Sequence, residues 1–298
     1  MAEPIMLVNS VLNGYRVLSK IIECPETVLY RGVNEQNLHE VAIKMLLPHV
    51  ARKGYLIRQL KREARYEGKL SHPSIIKGRG FFRRPARHHF IMDYFPSKSL
   101  RFRLMDEDDD IVRTYMRKIM IEMADALAYV HDMGLVHRDI KPENVLVNSA
   151  GDTKLIDFAL ASRYDLISRM FVRGRRVQGT RSYMSPEQIR NKPLDNRADI
   201  YSFGAMLFEM VVGHPPFTGS SEAEILRRHL TDFIRPIKRF KENVSPAFDG
   251  LVQAMLAKSP SGRPSTMHEV ADTLKSVSIF VDEETDAGFE PESMHEQQ

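Results

Sequence analysis

His137-Arg138-Asp139-Ile140-Lys141-Pro142-Glu143-Asn144-Val145-Leu146 puts carboxylates, two cations and a neutral amide into ten residues. Each type has a chemical use. Asp139 is a candidate general base. The amide oxygen of Asn144 suits a hard cation such as Mg2+. Lys141, two residues beyond Asp139, can reach an oxyanion as a point charge. Arg138 can pair with an anion elsewhere in the chain. A His-Arg-Asp run by itself is short and usually marks a solvated turn.

Order and spacing change that reading. Asp157-Phe158-Ala159 begins thirteen residues after Asn144, and Val41-Ala42-Ile43-Lys44 lies upstream. Each segment is weak alone, but together and in this order they are specific. The stretch resembles the catalytic loop of a protein kinase, and Lys141 makes it resemble the serine/threonine kinases rather than the tyrosine kinases. The resemblance covers residues 15–278. It implies an α+β, two-lobed fold: a small, mainly β lobe with one helix over 15–95 and a larger, mainly α lobe over 96–278. An N-terminal extension over 1–14 and an acidic, disordered tail over 279–298 would flank it. It also implies ATP in the cleft and transfer of the γ-phosphate to Ser or Thr hydroxyls of proteins, autophosphorylation included.

The same resemblance assigns roles. Asp139 would orient and deprotonate the hydroxyl, Asn144 and Asp157 would hold Mg2+, and Lys44 and Lys141 would stabilise the phosphates. Thr180 would hydrogen-bond Asp139 and Lys141. Met92 resembles the gatekeeper, and Asp93-Tyr94-Phe95 resembles the hinge whose backbone binds adenine. Ala42 would lie above the ring and Leu146 below it, with Ile22 and Leu29 completing the ATP site. Lys44 is expected to end its strand. A helix over 54–70 follows, and its Glu63 lies nine residues before His72-Pro73, the family's spacing for the glutamate that pairs with the lysine. Glu187 would pair with Arg263, and Asp199, opening a very apolar helix that ends at Pro215-Pro216-Phe217, would orient the catalytic-loop backbone. Tyr183-Met184-Ser185-Pro186-Glu187-Gln188 looks most like the bacterial branch of the family.

Three features depart from the pattern. Ile22, Cys24 and Thr27 stand where glycines usually let the backbone approach phosphate. Pro25 lacks an N–H, and Glu23 and Glu26 place two carboxylates nearby. This predicts weaker ATP binding or a hairpin held further from the phosphates. Glu67, one turn after Glu63, takes a usually apolar position, so it needs a cation or a rotated helix. Ala159 replaces a glycine and costs about 1 kcal/mol if its φ is positive. These departures favour a second class of function, a pseudokinase that binds nucleotide and serves as a scaffold. The complete set Lys44, Glu63, Asp139, Asn144 and Asp157 favours an enzyme.

The remaining sequence bounds the setting. A lone cysteine, Cys24, excludes an internal disulfide and suits a reducing, cytoplasmic compartment. No run of about twenty apolar residues is present, so no membrane span is expected. Residues 282–298 hold seven acids and no Lys or Arg; the rest holds 43 basic against 32 acidic residues, a net +11. Without zinc spacing or an aromatic RNA signature that charge does not predict a nucleic-acid partner; acidic protein substrates or phosphate-rich ligands explain it as well. Ile111 to Met133 has helical periodicity, with the acidic run before it as a cap. His88 and His89, adjacent on a strand, point to opposite faces and are structural. Segment 160–178 carries five arginines, self-repelling until an anion neutralises them. Ser162 and Ser168 are candidate phosphosites for contact with Arg138. The sequence leaves open whether activation needs a dimer.

Overall fold

The computed structural model describes residues 7–84, 87–106, 109–164 and 180–281. The small lobe is an antiparallel sheet built from β1 (Val11–Leu12), β2 (Tyr15–Glu23), β3 (Thr27–Asn34), β4 (Glu40–Leu46), β5 (Gly78–Phe82) and β6 (His89–Asp93), in the order β1-β2-β3-β4-β6-β5. Along β3, Val28, Tyr30 and Gly32 are buried in alternation, as a strand with one covered face requires. β4 is central and buried on both faces, so it runs past the apolar triplet. Lys44 therefore does not end the strand. It sits inside it, opposite Leu29 on β3 and Phe90 on β6. Helix α1 (Gly54–Glu67) covers one face with Leu56, Leu60 and Ala64, and stops three residues short of the predicted Leu70.

The sheet also reaches back into the predicted extension. Leu7 is buried with Val17 and Val28, β1 pairs with β2, and Asn13 Oδ1 lies 3.1 Å from His89 Nε2. Residues 7–14 thus belong to the lobe. His88 and His89 are both buried.

The larger lobe follows β7 (Lys98–Ser99) and α2 (Leu100–Met105). The predicted long helix is two pieces, α3 (Ile111–Thr114) and α4 (Met116–Asp132). At the break, Tyr115 lays its ring on Gly151, where an added Cβ would fall 2.4 Å from Tyr115 Cγ. β8 (Leu135–Val136), β9 (Val145–Val147) and β10 (Thr153–Leu155) frame the loop over 137–144; β11 (Ser162–Arg163) pairs with β8. After α5 (Pro186–Ile189), helix α6 (Arg197–Val212) is buried almost all round. It ends at Gly213 in a left-handed conformation (φ +94°), a glycine C-cap, rather than at the later prolines. α7 (Glu222–Thr231), α8 (Pro246–Met255) and α9 (Met267–Ser276) complete the lobe.

Packed chain continues past Ser278. Ile279 is buried, its carbonyl accepts the Ser245 N–H at 2.8 Å, and the Val281 N–H reaches the Asn243 carbonyl at 2.8 Å. Residues 279–281 therefore belong to the body rather than to the acidic tail. The apolar side chains of Ile279 and Phe280 explain the difference, because they have a core to enter. No helix among the described residues is long and apolar enough to cross a membrane.

Candidate active site

Asp199 builds the catalytic loop from below. Fully buried near the start of α6, it accepts the backbone N–H groups of His137 at 2.7 Å and Arg138 at 2.8 Å, and His131 Nε2 at 3.0 Å. Burial works against its charge, but His131 and the Arg138 N–H hold the carboxyl below the usual range. These bonds fix the loop where Arg138 takes a left-handed φ of +71°. Gln188 on α5 adds a bond to the Arg138 carbonyl at 2.9 Å. Burial lowers the His137 pKa, so the ring is neutral; it bonds the Ile156 carbonyl and lies edge-on to Phe158 at 4.6 Å.

On that base the loop side chains converge. Lys141 Nζ is 2.7 Å from Asp139 Oδ2 and 2.9 Å from Thr180 Oγ1. The Thr180 backbone N–H and hydroxyl both reach Asp139 Oδ1, at 3.2 and 3.3 Å. Asn144 donates its amide N–H to the Asp139 carbonyl at 2.8 Å and to Oδ2 at 3.2 Å. That spends the nitrogen on Asp139 and leaves the Asn144 amide oxygen as an acceptor.

The opposing wall comes from β4 and α1. Lys44 Nζ donates to both carboxylate oxygens of Glu63, at 2.7 and 2.9 Å, and lies 3.8 Å from Asp157 Oδ2. Burial disfavours the Lys44 ammonium, but the Asp157 and Glu63 carboxylates outweigh it and raise the pKa. Burial pushes the Glu63 carboxyl up to about 7, with Lys44 pulling the other way. Burial works against the Asp157 charge, but Lys44, the Ala159 N–H, His137 and Lys141 together hold the carboxyl below the usual range. Its side chain is one-third exposed, so an ionised carboxylate faces the cleft. Together with the Asn144 oxygen it forms a donor set that fits a hard divalent cation.

Glu67 settles its oddity in a third way. The helix is in register, with Leu56, Leu60, Glu63, Ala64 and Glu67 on the buried face. Among the described residues no cation meets Glu67 at salt-bridge distance; instead it accepts the Asp157 backbone N–H at 3.1 Å. Burial, reinforced by Glu63, raises its pKa well above the ordinary value. Ala159 carries no strain of the expected kind: it lies in a short 3-10 turn and is not among the positive-φ residues.

Asp139, Lys44, Glu63 and Asp157 line one cavity of about 410 Å³, closed on one side by Cys24, Pro25, Glu26 and Thr27. The Cys24 N–H bonds the Thr27 carbonyl at 2.8 Å and so closes the hairpin turn without help from Pro25. The Leu47 N–H holds the Glu26 carbonyl at 2.9 Å, which pins the tip to the end of β4. The two carboxylates are engaged elsewhere: Glu23 with Lys20 at 3.0 Å, and Glu26 with the Tyr55 hydroxyl at 3.3 Å.

Beside this cavity Ala42 and Met92 are paired across β4 and β6, and both are buried. Leu146 on β9 and Leu29 on β3 are half-buried, whereas Ile22, opposite Leu29, is largely exposed. The Asp93 carboxylate accepts from Arg79 and His39, which hold it below the usual range despite partial burial. The Asp93 and Tyr94 N–H groups are already bonded to the Lys77 and Glu40 carbonyls. Phe95 accepts the Ser97 hydroxyl.

Glu187 and Arg263 meet through two bonds of 2.6 and 2.9 Å, buried beneath the Tyr201 ring. Ser162 is half-buried in β11, in register with Val136. Ser168 lies outside the described residues. Sequence reasoning missed Arg101. It bonds Glu143 at 2.9 Å, Glu209 at 2.7 Å and the Tyr183 hydroxyl, joining α2 to the catalytic loop and α6. Its partners are up to 108 residues away, and nothing local in one sequence marks them.

Known proteins resemble this chain over most of its length. The protein kinase domain family matches residues 15–274. A probable serine/threonine-protein kinase of Corynebacterium efficiens is 34% identical over 247 residues, covering 80% of this chain and 37% of the relative. The serine/threonine-protein kinase PknB of Mycolicibacterium smegmatis is 30% identical over 270 residues, 87% of this chain and 43% of the relative. A probable serine/threonine-protein kinase of Clostridium perfringens is 29% identical over 265 residues, 89% and 38% respectively. The chain thus spans about two-fifths of the length of these curated relatives. With a small sheet lobe, a larger helical lobe and a family match over nearly all the described residues, the chain belongs to the protein kinase family.

Proposed function

We propose that this chain is a catalytic domain that transfers the γ-phosphate of ATP to Ser or Thr hydroxyls of proteins. One observation carries the reading: Asp139, Lys141, Thr180 and Asn144 form a single bonded cluster, and Asp139 shares a cavity with the Lys44–Glu63 pair and Asp157. Asp139 accepts the hydroxyl proton and aligns the oxygen for attack, while Thr180 and Lys141 fix its carboxylate. Lys44, held in line by Glu63, and Lys141 face the phosphates with preset positive charge. Asn144 and Asp157 would hold Mg2+, which when bound neutralises charge on the phosphates. Ala42, Leu29, Met92 and Leu146 enclose the adenine, Ile22 covers its open side, and Asp93 and Phe95 offer backbone groups. The proposal includes a cytoplasmic setting and a domain reaching at least from 15 to 278.

The test is incubation of purified protein with radiolabelled ATP and Mg2+ beside Asp139→Asn and Lys44→Met. Label on Ser or Thr in the parent protein alone supports the proposal, and mapping would show whether Ser162 or Ser168 receives it. Nucleotide binding without any incorporation would replace it with the scaffold reading.

A further inference from the structure

Glu67 is a buried acid that phosphate transfer does not call on. It lies in the last turn of α1, 0% exposed, with Oε1 on the Asp157 N–H at 3.1 Å. Among the described residues its Oε2 finds no hydrogen-bond partner. A carboxyl buried with half its acceptors unused is a poor choice for stability alone. An apolar side chain could fill the space but could not accept the N–H.

Asp157 has reason to be held. Its φ is +69°, a left-handed conformation that a non-glycine residue keeps only when its surroundings hold it. Its carboxylate must at the same time point into the cleft. The surrounding chain is shaped to bring Glu67 close. An added Cβ on Gly78 would sit 2.8 Å from the Gly68 nitrogen and 3.1 Å from Glu67 Cβ, so only glycine lets the end of α1 settle against β5.

We infer that Glu67 is a positioning residue: through the Asp157 amide it ties α1 to the backbone that aims the metal-binding carboxylate. The inference rests on the reading of Asp157 as a metal ligand. One helix then sets both walls of the phosphate site, Glu63 placing Lys44 and Glu67 placing Asp157. Any shift of α1 moves the two together.

The full chain is compared with Glu67→Gln, which keeps an acceptor oxygen, and Glu67→Met, which removes it at similar volume. Amide hydrogen exchange at Asp157, read without nucleotide or metal, should quicken about tenfold in the Met variant, the loss of one buried hydrogen bond. The Gln variant should stay close to the parent. The Mg2+ concentration giving half-maximal transfer should rise by a similar factor in Met and recover in Gln, with the KM for a peptide substrate unmoved. Unchanged exchange in Glu67→Met overturns the tether. Equal behaviour of Gln and Met overturns it as well, since a packing role would not tell them apart. Faster exchange with an unmoved metal requirement overturns the positioning role. Asp157→Asn alongside separates this from the reading beneath it: if that change also leaves the metal requirement unmoved, the assignment of Asp157 has failed and not the tether.

Discussion

Glu187 and Glu67 are both buried helical carboxyls, and the molecule treats them in opposite ways. Glu187 meets Arg263 through both oxygens, while Glu67 has one backbone amide for one oxygen. The aspartates divide likewise. Asp199 is fully buried under three donors, whereas Asp157 is one-third exposed with Lys44 at 3.8 Å. Glu187 and Asp199, in the larger lobe, are fully partnered and serve to fix the chain. In the cleft partnering is deliberately incomplete, and the spare valence is what substrate and metal would use. Loss of a cleft group should therefore cost activity, and loss of a scaffold group should cost stability.

The largest effect tests the first half. Asp139→Asn keeps the size and leaves one oxygen to accept, two of the four carboxylate contacts, so the fold should persist with a modest drop in melting temperature. Transfer should fall by roughly 10²–10⁴-fold, the usual worth of a general base. Single-turnover assays with a peptide substrate, run beside thermal melts, measure both. An unfolded variant, or one that turns over normally, breaks the division at the cleft.

The second half is tested by Glu187→Ala, which strands Arg263 in a buried site. Stability should drop by about 3–5 kcal/mol in denaturant titrations. Replacing both partners, as in Glu187→Met with Arg263→Leu, should cost less, because no unpaired charge is left behind. A single variant as stable as the parent would show that the pairing is dispensable.

How far this division can be read from sequence depends on where each partner lies. Asp139, Lys141 and Asn144 share one short stretch and came with their chemistry attached. Lys44 and Glu63, and Glu187 and Arg263, were paired through the family resemblance, since nothing local links residues 19 and 76 positions apart. The partner of Glu67 was out of reach because it is a backbone amide 90 residues away, and backbone groups leave no mark in sequence. The ends were misjudged for a related reason. Leu7 lies in the short apolar run Ile5-Met6-Leu7-Val8 and Ile279 in Ile279-Phe280-Val281, and burial of each depends on a sheet edge or core that only the fold supplies. Arg101 carries no mark in the sequence, because only the fold brings Glu209 of α6 beside it.

A smaller effect sharpens the cleft side. With its carboxyl pushed up to about 7 by burial, Glu63 loses its charge as pH falls, and Lys44 loses its anchor. Transfer should rise with pH through about 7. Stability should run the other way. The folded state binds the Glu63 proton more tightly than the unfolded chain does, so this group contributes most below about pH 4.5 and loses that contribution as pH climbs to about 7. Glu63→Gln should flatten the rising limb and lower the rate about tenfold, the loss of one charge-assisted pair. A pH–rate profile unchanged by the substitution would take Glu63 out of the titration.

The smallest effect probes a cation of the larger lobe that the rule fits least well. Lys258 lies over the Phe217 ring at 4.2 Å and near Tyr201, with only a 3.4 Å bond to the Arg228 carbonyl. Partial burial lowers its pKa to about 8, helped by Arg263 and Arg190 and opposed by Asp232. An unfolded lysine keeps its proton to about 10.4, so between roughly pH 8 and 10.4 the unfolded chain binds more protons and stability gains with rising pH. Lys258→Met removes a charge that the fold disfavours. At pH 7 the variant should be more stable by up to about 1 kcal/mol, after allowing for solvent screening of a half-exposed group. That advantage should shrink towards zero as pH approaches 10.4. Denaturant titrations of both proteins at pH 7 and pH 10 decide it. A difference that stays constant with pH would mean that the aromatic faces partner Lys258 as fully as Glu187 partners Arg263.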